Sequence, residues 1–133
     1  MGNCHYTYLT SEAVTEGHPD KICDQISDAI VDAYLTQDPA SHVAVEAFVS
    51  GNVLTLAGEV SSSATVDVTA LARKVIADIG YTNPALGFTA DACLVFTNIH
   101  QQSNDIKQGV TQAEGDRIVG SGDQGIMYGY ATN

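Results

Sequence analysis

The chain has 133 residues, a length that suits one domain with a modest core, and 44% of its residues are hydrophobic. It has no apolar run near the roughly 20 residues of a membrane helix and no signal-peptide core, so a soluble, cytoplasmic protein without a membrane partner is expected. Its net charge of −11 argues against nucleic acid and anionic lipid as partners. An anionic substrate would therefore need bridging metal ions.

A short strand and an acidic stretch come first along the chain. Residues 5–10 are rich in β-branched and aromatic side chains, which predicts a strand leading into residues 11–21. Pro19 suits the first position of a helix, where its missing N–H leaves no bond unmade. Apolar side chains then recur every four residues, which predicts a helix over residues 19–37 with His18 at its cap.

The start of this helix concentrates titratable side chains. A helix N-terminus presents unpaired N–H groups and roughly half a positive charge, so it suits an anion. Asp20 in the first turn offers a carboxylate for the divalent cation that a polyphosphate brings, and His18 and Lys21 add donors. The alternative is purely structural: Asp20 is then an acid favoured by the helix dipole, and His18 is a surface cap.

A β-hairpin is predicted after the first helix. Two apolar segments at residues 43–49 and 53–60 flank a Ser-Gly-Asn turn sequence. Glu46 and Glu59 are acids placed inside these strands, and a strand glutamate usually just faces water. Glu59 is the more suggestive of the two, because the glycine before it often marks a bulge or the close approach of another group.

A second amphipathic helix and a further strand complete the predicted core. Apolar side chains at helical spacing from Val68 to Ile79 predict this helix, and Gly80 is its expected stop. Residues 93–99 predict the strand. The order of strand, helix, hairpin, helix and strand favours an α+β fold in which two helices cover one face of a mostly antiparallel sheet.

A long polar stretch runs from His100 to Asp123. Compact domains rarely carry such a loop unless it is a lid, a binding loop or a disordered link, so it is a functional candidate. Its end, residues 120–125, matches the G-x-G-x-x-G pattern. A dinucleotide site is disfavoured because no strand precedes these glycines and no good helix follows them, and close backbone approach to another ligand stays open.

Three motifs carry a resemblance to a known family: TSEAVTEGHPDKI at residues 10–22, GEV at 58–60 and GDQGIMYGYATN at 122–133. Through them the chain resembles the N-terminal third of S-adenosylmethionine synthetase, or methionine adenosyltransferase, without large gaps. Ser121 stands where the family usually has alanine, and residues 102–120 are the least similar. The first and last motifs are long enough to be very specific.

The resemblance implies a reaction and a set of functional residues. In such enzymes the sulfur of L-methionine attacks the ribose C5′ carbon of ATP, and the released triphosphate is hydrolysed to pyrophosphate and phosphate. Magnesium and potassium are the implied cofactors. The implied roles are His18 for catalysis and ATP, Lys21 for catalysis, Asp123 for ATP, Glu59 and Gln102 for methionine, Asp20 for magnesium, Glu46 for potassium, and Glu12 as a further acid of the pocket.

The resemblance also implies how the chain is organised. Residues 1–101 would form one of the family's three similar α+β units, residues 102–122 a flexible active-site loop, and residues 123–133 the start of the central unit. The family continues well beyond Asn133 and places its active sites between subunits of a homodimer or homotetramer. We therefore expect that the chain is a fragment and is inactive by itself.

Two other classes of function are compatible with parts of the sequence. One is a non-catalytic interaction module that kept the fold, and the other is an unrelated magnesium-dependent phosphohydrolase. The intact set of acids disfavours the module, which would not need to keep them. The hydrolase is disfavoured because no obvious base is present to activate water.

Overall fold

A computed structural model of the protein describes residues 12–101 and Ile126. The elements are α1 (Pro19–Gln37), β1 (His42–Ser50), β2 (Val53–Ser61), α2 (Val68–Ile79), a short 3-10 helix (Pro84–Leu86) and β3 (Leu94–Gln101). The strand predicted at residues 5–10 lies outside the described residues. Among the described helices, none has the length and apolar character needed to cross a membrane.

The three described strands form one sheet in the order β1, β2, β3. β1 and β2 are the predicted antiparallel hairpin, and Gly51, with φ 56°, opens a two-residue turn of the kind that matches strand twist. β2 and β3 pair in parallel, because the connection through α2 returns the chain to the same end of the sheet. The α+β class is confirmed, with a sheet that contains one antiparallel and one parallel pair.

Both helices begin and end at the residues that the sequence predicts. Pro19 is the first residue of α1, and the predicted apolar stripe of this helix is buried. Asp67 caps α2 by accepting a hydrogen bond from the Ala70 N–H at 2.9 Å. Gly80 ends α2 with φ 114°, a left-handed conformation that glycine adopts without strain.

The described helices cover one face of the sheet, and no described element covers the other face. The core lies between α1, α2 and the covered face, and its fully buried large side chains are Ile22, Ile26, Ile30, Leu54, Leu56, Ile76 and Cys93. We call the other side the open face; it carries Glu46 and Phe48 of β1, Glu59 of β2, and Phe96 and His100 of β3. Phe48 and Phe96 are 66% and 58% exposed there.

Arg73 of α2 joins the helix layer to the start of β3. Its guanidinium donates hydrogen bonds to the carbonyl oxygen of Ala90 and, at 2.9 Å, to that of Cys93. These carbonyls belong to the segment that leads into β3. A half-buried cation with two carbonyl acceptors therefore fixes where the third strand begins.

The Asp38 carboxylate ties the end of α1 to the segment between β2 and α2. It accepts hydrogen bonds from the Ser63 N–H at 2.8 Å, the Ser63 hydroxyl at 2.9 Å and the Ala40 N–H at 3.0 Å. The pKa of Asp38 is lowered, first by the Ser63 backbone hydrogen bond and then by the Ser63 hydroxyl and the Ala40 N–H. These donors favour the ionised carboxylate in the folded protein.

We expect Asp38→Asn to remove an acid-sensitive part of the protein's stability. A lowered pKa stabilises the folded state above the ordinary carboxyl pKa, and this contribution disappears as the pH falls through the folded-state pKa. In urea unfolding, the variant should be less stable than the wild type at pH 6, and the difference should shrink at pH 3. Asp91→Asn, an exposed acid, is the control for the change in charge. A difference that does not change with pH would contradict this assignment.

Candidate active site

His18 caps α1 with its own side chain. Its backbone is extended, with φ −68° and ψ 140°, and its Nδ1 atom accepts the Asp20 N–H at 3.1 Å. Because Nδ1 is the acceptor of this hydrogen bond, Nε2 is the ring atom that can donate one. The predicted cap is confirmed, and the ring offers an N–H donor beside the helix N-terminus.

Asp20 and Lys21 follow the cap in the first turn. The Asp20 carboxylate is 84% exposed and lies 3.9 Å from the His18 Nδ1 atom. The Lys21 ammonium lies 3.0 Å from the Asp24 carboxylate, and both side chains are substantially exposed. Such surface pairs contribute little stability, so the ammonium is available to an incoming anion.

An open groove of about 440 Å³ runs between α1 and β1. Its charged and polar lining residues are Asp20, Lys21, Asp24, Gln25, Ser27, Asp28 and Glu46. Carboxylates outnumber the single ammonium in this lining, so the groove attracts cations and repels a free polyanion. Two of the predicted metal ligands, Asp20 and Glu46, therefore border the same acidic groove from different elements.

Cys23 also borders this groove, as a half-buried free thiol. Burial raises the pKa of the Cys23 thiol. A thiol with a raised pKa carries little thiolate at neutral pH and is a poor nucleophile. The structure therefore favours a packing role for this cysteine.

Glu59 lies on the open face beside His100. The two residues are paired across β2 and β3, and Glu59 Oε1 is 3.4 Å from His100 Nε2. Glu46 is on the same face of the neighbouring strand β1. No described helix covers either glutamate, although the Glu59 side chain is only 27% exposed. The two glutamates are diagonal neighbours on the open face.

Gly58 provides the close approach that its place in the strand predicts. A Cβ atom added there would lie 2.0 Å from the Ala44 carbonyl oxygen and 2.9 Å from the Val45 Cα atom. Its φ of 146° is also one that side chains with a Cβ rarely adopt. The approaching group is the backbone of β1, so Gly58 fixes the strand that carries Glu59.

The family described as S-adenosylmethionine synthetase, N-terminal domain, matches residues 6–104, which includes every described residue of the site. The chain belongs to the S-adenosylmethionine synthetase family.

Curated relatives carry the same family name. The chain is 58% identical over 123 residues to S-adenosylmethionine synthase 1 of Rhodopseudomonas palustris, covering 92% of this chain and 31% of the relative. It is 56% identical to S-adenosylmethionine synthase 1 of Rhodospirillum rubrum, with the same coverage, and 54% identical over 126 residues to the synthase of Sorangium cellulosum, covering 94% and 30%. The chain thus spans about 31% of the length of the first two relatives.

Three residues predicted from the sequence remain: Glu12, Gln102 and Asp123. Glu12 is exposed and is not among the lining residues. Gln102 and Asp123 lie outside the described residues, as does most of the predicted loop, so their roles and the proposed domain boundaries stay predictions. Within residues 12–101, no group of three His, Cys, Asp or Glu side chains forms a metal site by itself.

Two residues near the synthetase site were not predicted from the sequence. His100 was assigned to the loop, whereas β3 extends to Gln101 and places it beside Glu59. The segment from Phe96 to Gln101 shows no alternation of apolar and polar residues, so no local pattern predicts that the strand continues to His100. Tyr81 donates a hydrogen bond to the Gly17 carbonyl, a contact between distant parts of the chain that no local sequence pattern predicts.

Proposed function

We propose that this chain supplies the N-terminal part of a methionine adenosyltransferase that makes S-adenosylmethionine from ATP and L-methionine. The methionine sulfur attacks the ribose C5′ carbon, so a C–S bond forms while the C5′–O bond breaks and its electron pair leaves with the triphosphate. Water then splits the triphosphate into pyrophosphate and phosphate. Membership of the family supports this reaction.

The observation that carries the proposal is the arrangement at the start of α1, where His18, Asp20 and Lys21 meet beside the acidic groove. The substrate sulfur is itself the nucleophile, so the protein's task is to align two substrates and stabilise the charge that leaves. The Nε2–H of His18 and the ammonium of Lys21 are donors suited to phosphate oxygens. We assign both residues to catalysis, and His18 also to ATP binding.

The groove suits a magnesium ion that arrives with ATP. Mg²⁺ is usually held by one or two carboxylates together with substrate phosphates, and Asp20 is an exposed carboxylate in the first turn of α1. When bound, magnesium supplies positive charge that balances the triphosphate as it leaves. Asp20 would hold this ion, and Glu46, which also lines the groove, would hold the activating potassium ion.

We assign Glu59 to the recognition of methionine. An ionised carboxylate forms a charge-assisted hydrogen bond with an ammonium group, and the Glu59 carboxylate lies on the open face, 3.4 Å from His100 Nε2. By resemblance to the family, Gln102 would also contact methionine, Asp123 would lie near the adenosine, and Glu12 would add an acid to the pocket. The family resemblance alone supports these last three assignments.

The complete enzyme is proposed to be larger than this chain. The relatives extend well beyond the aligned part, since the chain covers 30–31% of their length. We propose that residues 1–133 alone make no S-adenosylmethionine and that a homodimer or homotetramer with shared sites is the active form. The cytoplasmic location stays a prediction.

Glu59→Gln in the complete enzyme is expected to raise the KM for methionine about 10-fold or more, since hydrogen bonds to charged groups contribute about 1.5–3 kcal/mol. The amide keeps the size of the side chain but loses the negative charge that pairs with the substrate ammonium. The KM for ATP should change little. Steady-state titrations of each substrate, with S-adenosylmethionine measured by mass spectrometry, test both the reaction and this assignment.

Glu46→Gln is the matched control, because it makes the same chemical change on the same face of the sheet. It should shift the potassium dependence and leave the KM for methionine close to that of the wild type. If Glu59→Gln changed only the KM for ATP, the assignment of Glu59 to methionine binding would be wrong. A wild-type enzyme that forms no S-adenosylmethionine would overturn the proposed function itself.

A further inference from the structure

Tyr81 is held rigidly at the C-terminal end of α2 and reaches the loop before α1. Its N–H donates to the Ile76 carbonyl at 3.1 Å, and its own carbonyl accepts the Ala90 N–H at 2.9 Å. Its ring packs edge-on against Phe88, with centroids 5.3 Å apart. From this fixed position the Tyr81 hydroxyl donates a 2.6 Å hydrogen bond to the Gly17 carbonyl oxygen.

Gln25 holds the neighbouring carbonyl of the same loop. Its side-chain amide donates to the Glu16 carbonyl at 2.9 Å and to the Lys21 carbonyl at 3.1 Å. The Glu16 carbonyl is therefore bound by a side chain of α1, and the Gly17 carbonyl by a side chain just after α2. The loop before α1 is attached to the folded core immediately before the His18 cap.

The Gly17–His18 peptide unit transmits this attachment to His18. A peptide unit is planar, so the direction of its C=O fixes the direction of its N–H. Tyr81 binds the oxygen of this unit, and the Thr15 carbonyl accepts the His18 N–H at 3.0 Å. Because both the Gly17 C=O and the His18 N–H are hydrogen-bonded, the orientation of the His18 backbone is fixed. The direction in which its ring extends follows from this orientation.

We propose that Tyr81 is a positioning residue for the active site, which acts through the Gly17 carbonyl to fix the His18 cap and the first turn of α1. This inference rests on the function proposed above, because it requires that His18 and Asp20 act on the triphosphate. This role requires no contact of Tyr81 with either substrate. The Tyr81 hydroxyl fixes the positions of His18 and Asp20, and a small displacement of catalytic side chains slows the reaction strongly.

Tyr81→Phe in the complete enzyme tests the inference, because it removes the hydroxyl and keeps the ring against Phe88. We expect kcat to fall about 10-fold, since a displacement of 1 Å costs on the order of 100-fold. The KM for methionine should stay within a factor of about two, because Glu59 belongs to β2, whereas Tyr81 binds the loop before α1. Hydrogen exchange at the His18 amide should accelerate.

Two further variants keep the test decisive. Gln25→Met removes the second attachment without altering α2 and should lower kcat in the same direction. Tyr34→Phe, which deletes a hydroxyl from a core tyrosine of α1, should leave kcat unchanged. If both Tyr81→Phe and Gln25→Met keep wild-type kcat while Asp20→Asn loses activity, the positioning role is overturned and the proposed function stands. An equal fall of kcat in Tyr34→Phe would also overturn it, by showing a general effect of lost hydroxyl groups.

Discussion

Asp20→Asn in the complete enzyme is expected to lower turnover about 100-fold or more, since loss of groups that only support a metal ligand already costs about 10–100-fold. The amide removes the negative charge that would bind magnesium at the cap of α1. The fold should change little, because Asp20 is exposed and a charge at a helix end contributes only about 0.3–1 kcal/mol. Product formation at several magnesium concentrations and the melting temperature measure the two effects separately.

Asp32→Asn is the matched control for this substitution. It makes the same change on the same helix, but Asp32 is not among the residues that line the groove. Its turnover and magnesium dependence should match those of the wild type. Unchanged turnover of Asp20→Asn at limiting magnesium would remove Asp20 from the site and leave it the structural role of a first-turn acid.

Gly58→Ala is expected to destabilise the protein by about 3–5 kcal/mol, a sum of overpacking and backbone strain. The new methyl group would lie 2.0 Å from the Ala44 carbonyl oxygen, which belongs to a paired strand and has little room to move. The φ of 146° adds strain of its own. Urea unfolding measures the loss, and any folded variant should also bind methionine less well because Glu59 is displaced.

Gly51→Ala separates the two causes. Gly51 has φ 56° but no atom within 4 Å of an added Cβ. The only cost of Gly51→Ala is therefore the backbone strain of a left-handed alanine, about 1–2 kcal/mol. The stability difference between the two variants then measures the clash with β1. Equal losses in both variants would show that the close approach of Ala44 contributes nothing.

The parts of the fold that depend on local sequence were predictable, and the distant pairing was not. α1, the hairpin and α2 are defined by periodicity, by a turn and by Pro19 and Gly80, all of which act within a few residues. The parallel pairing of β3 depends on how the connection through α2 folds back, which no local pattern specifies. The polar end of β3 reads as a loop in isolation, and it is a strand because His100 and Gln101 pair with β2.

The candidate site also combines features that local sequence predicts with features that depend on distant contacts. The cap at His18 and the first-turn position of Asp20 follow from Pro19 and the helical pattern that begins there. The sequence also marks Glu59 through its neighbouring glycine. The contact of Tyr81 with Gly17 links positions 64 residues apart, and only the packed structure brings such residues together. Residues that act through others are therefore the ones that sequence patterns miss.

The mixed sheet implies an order in which its strands pair during folding. β1 and β2 pair across a two-residue turn, whereas β3 joins only after the whole connection through α2 has closed, with a larger loss of chain entropy. Local pairings form before distant ones, so we expect the hairpin to be the early framework and β3 the late addition. Glu59 is then in place on the nascent hairpin, and it meets His100 only when folding is nearly complete.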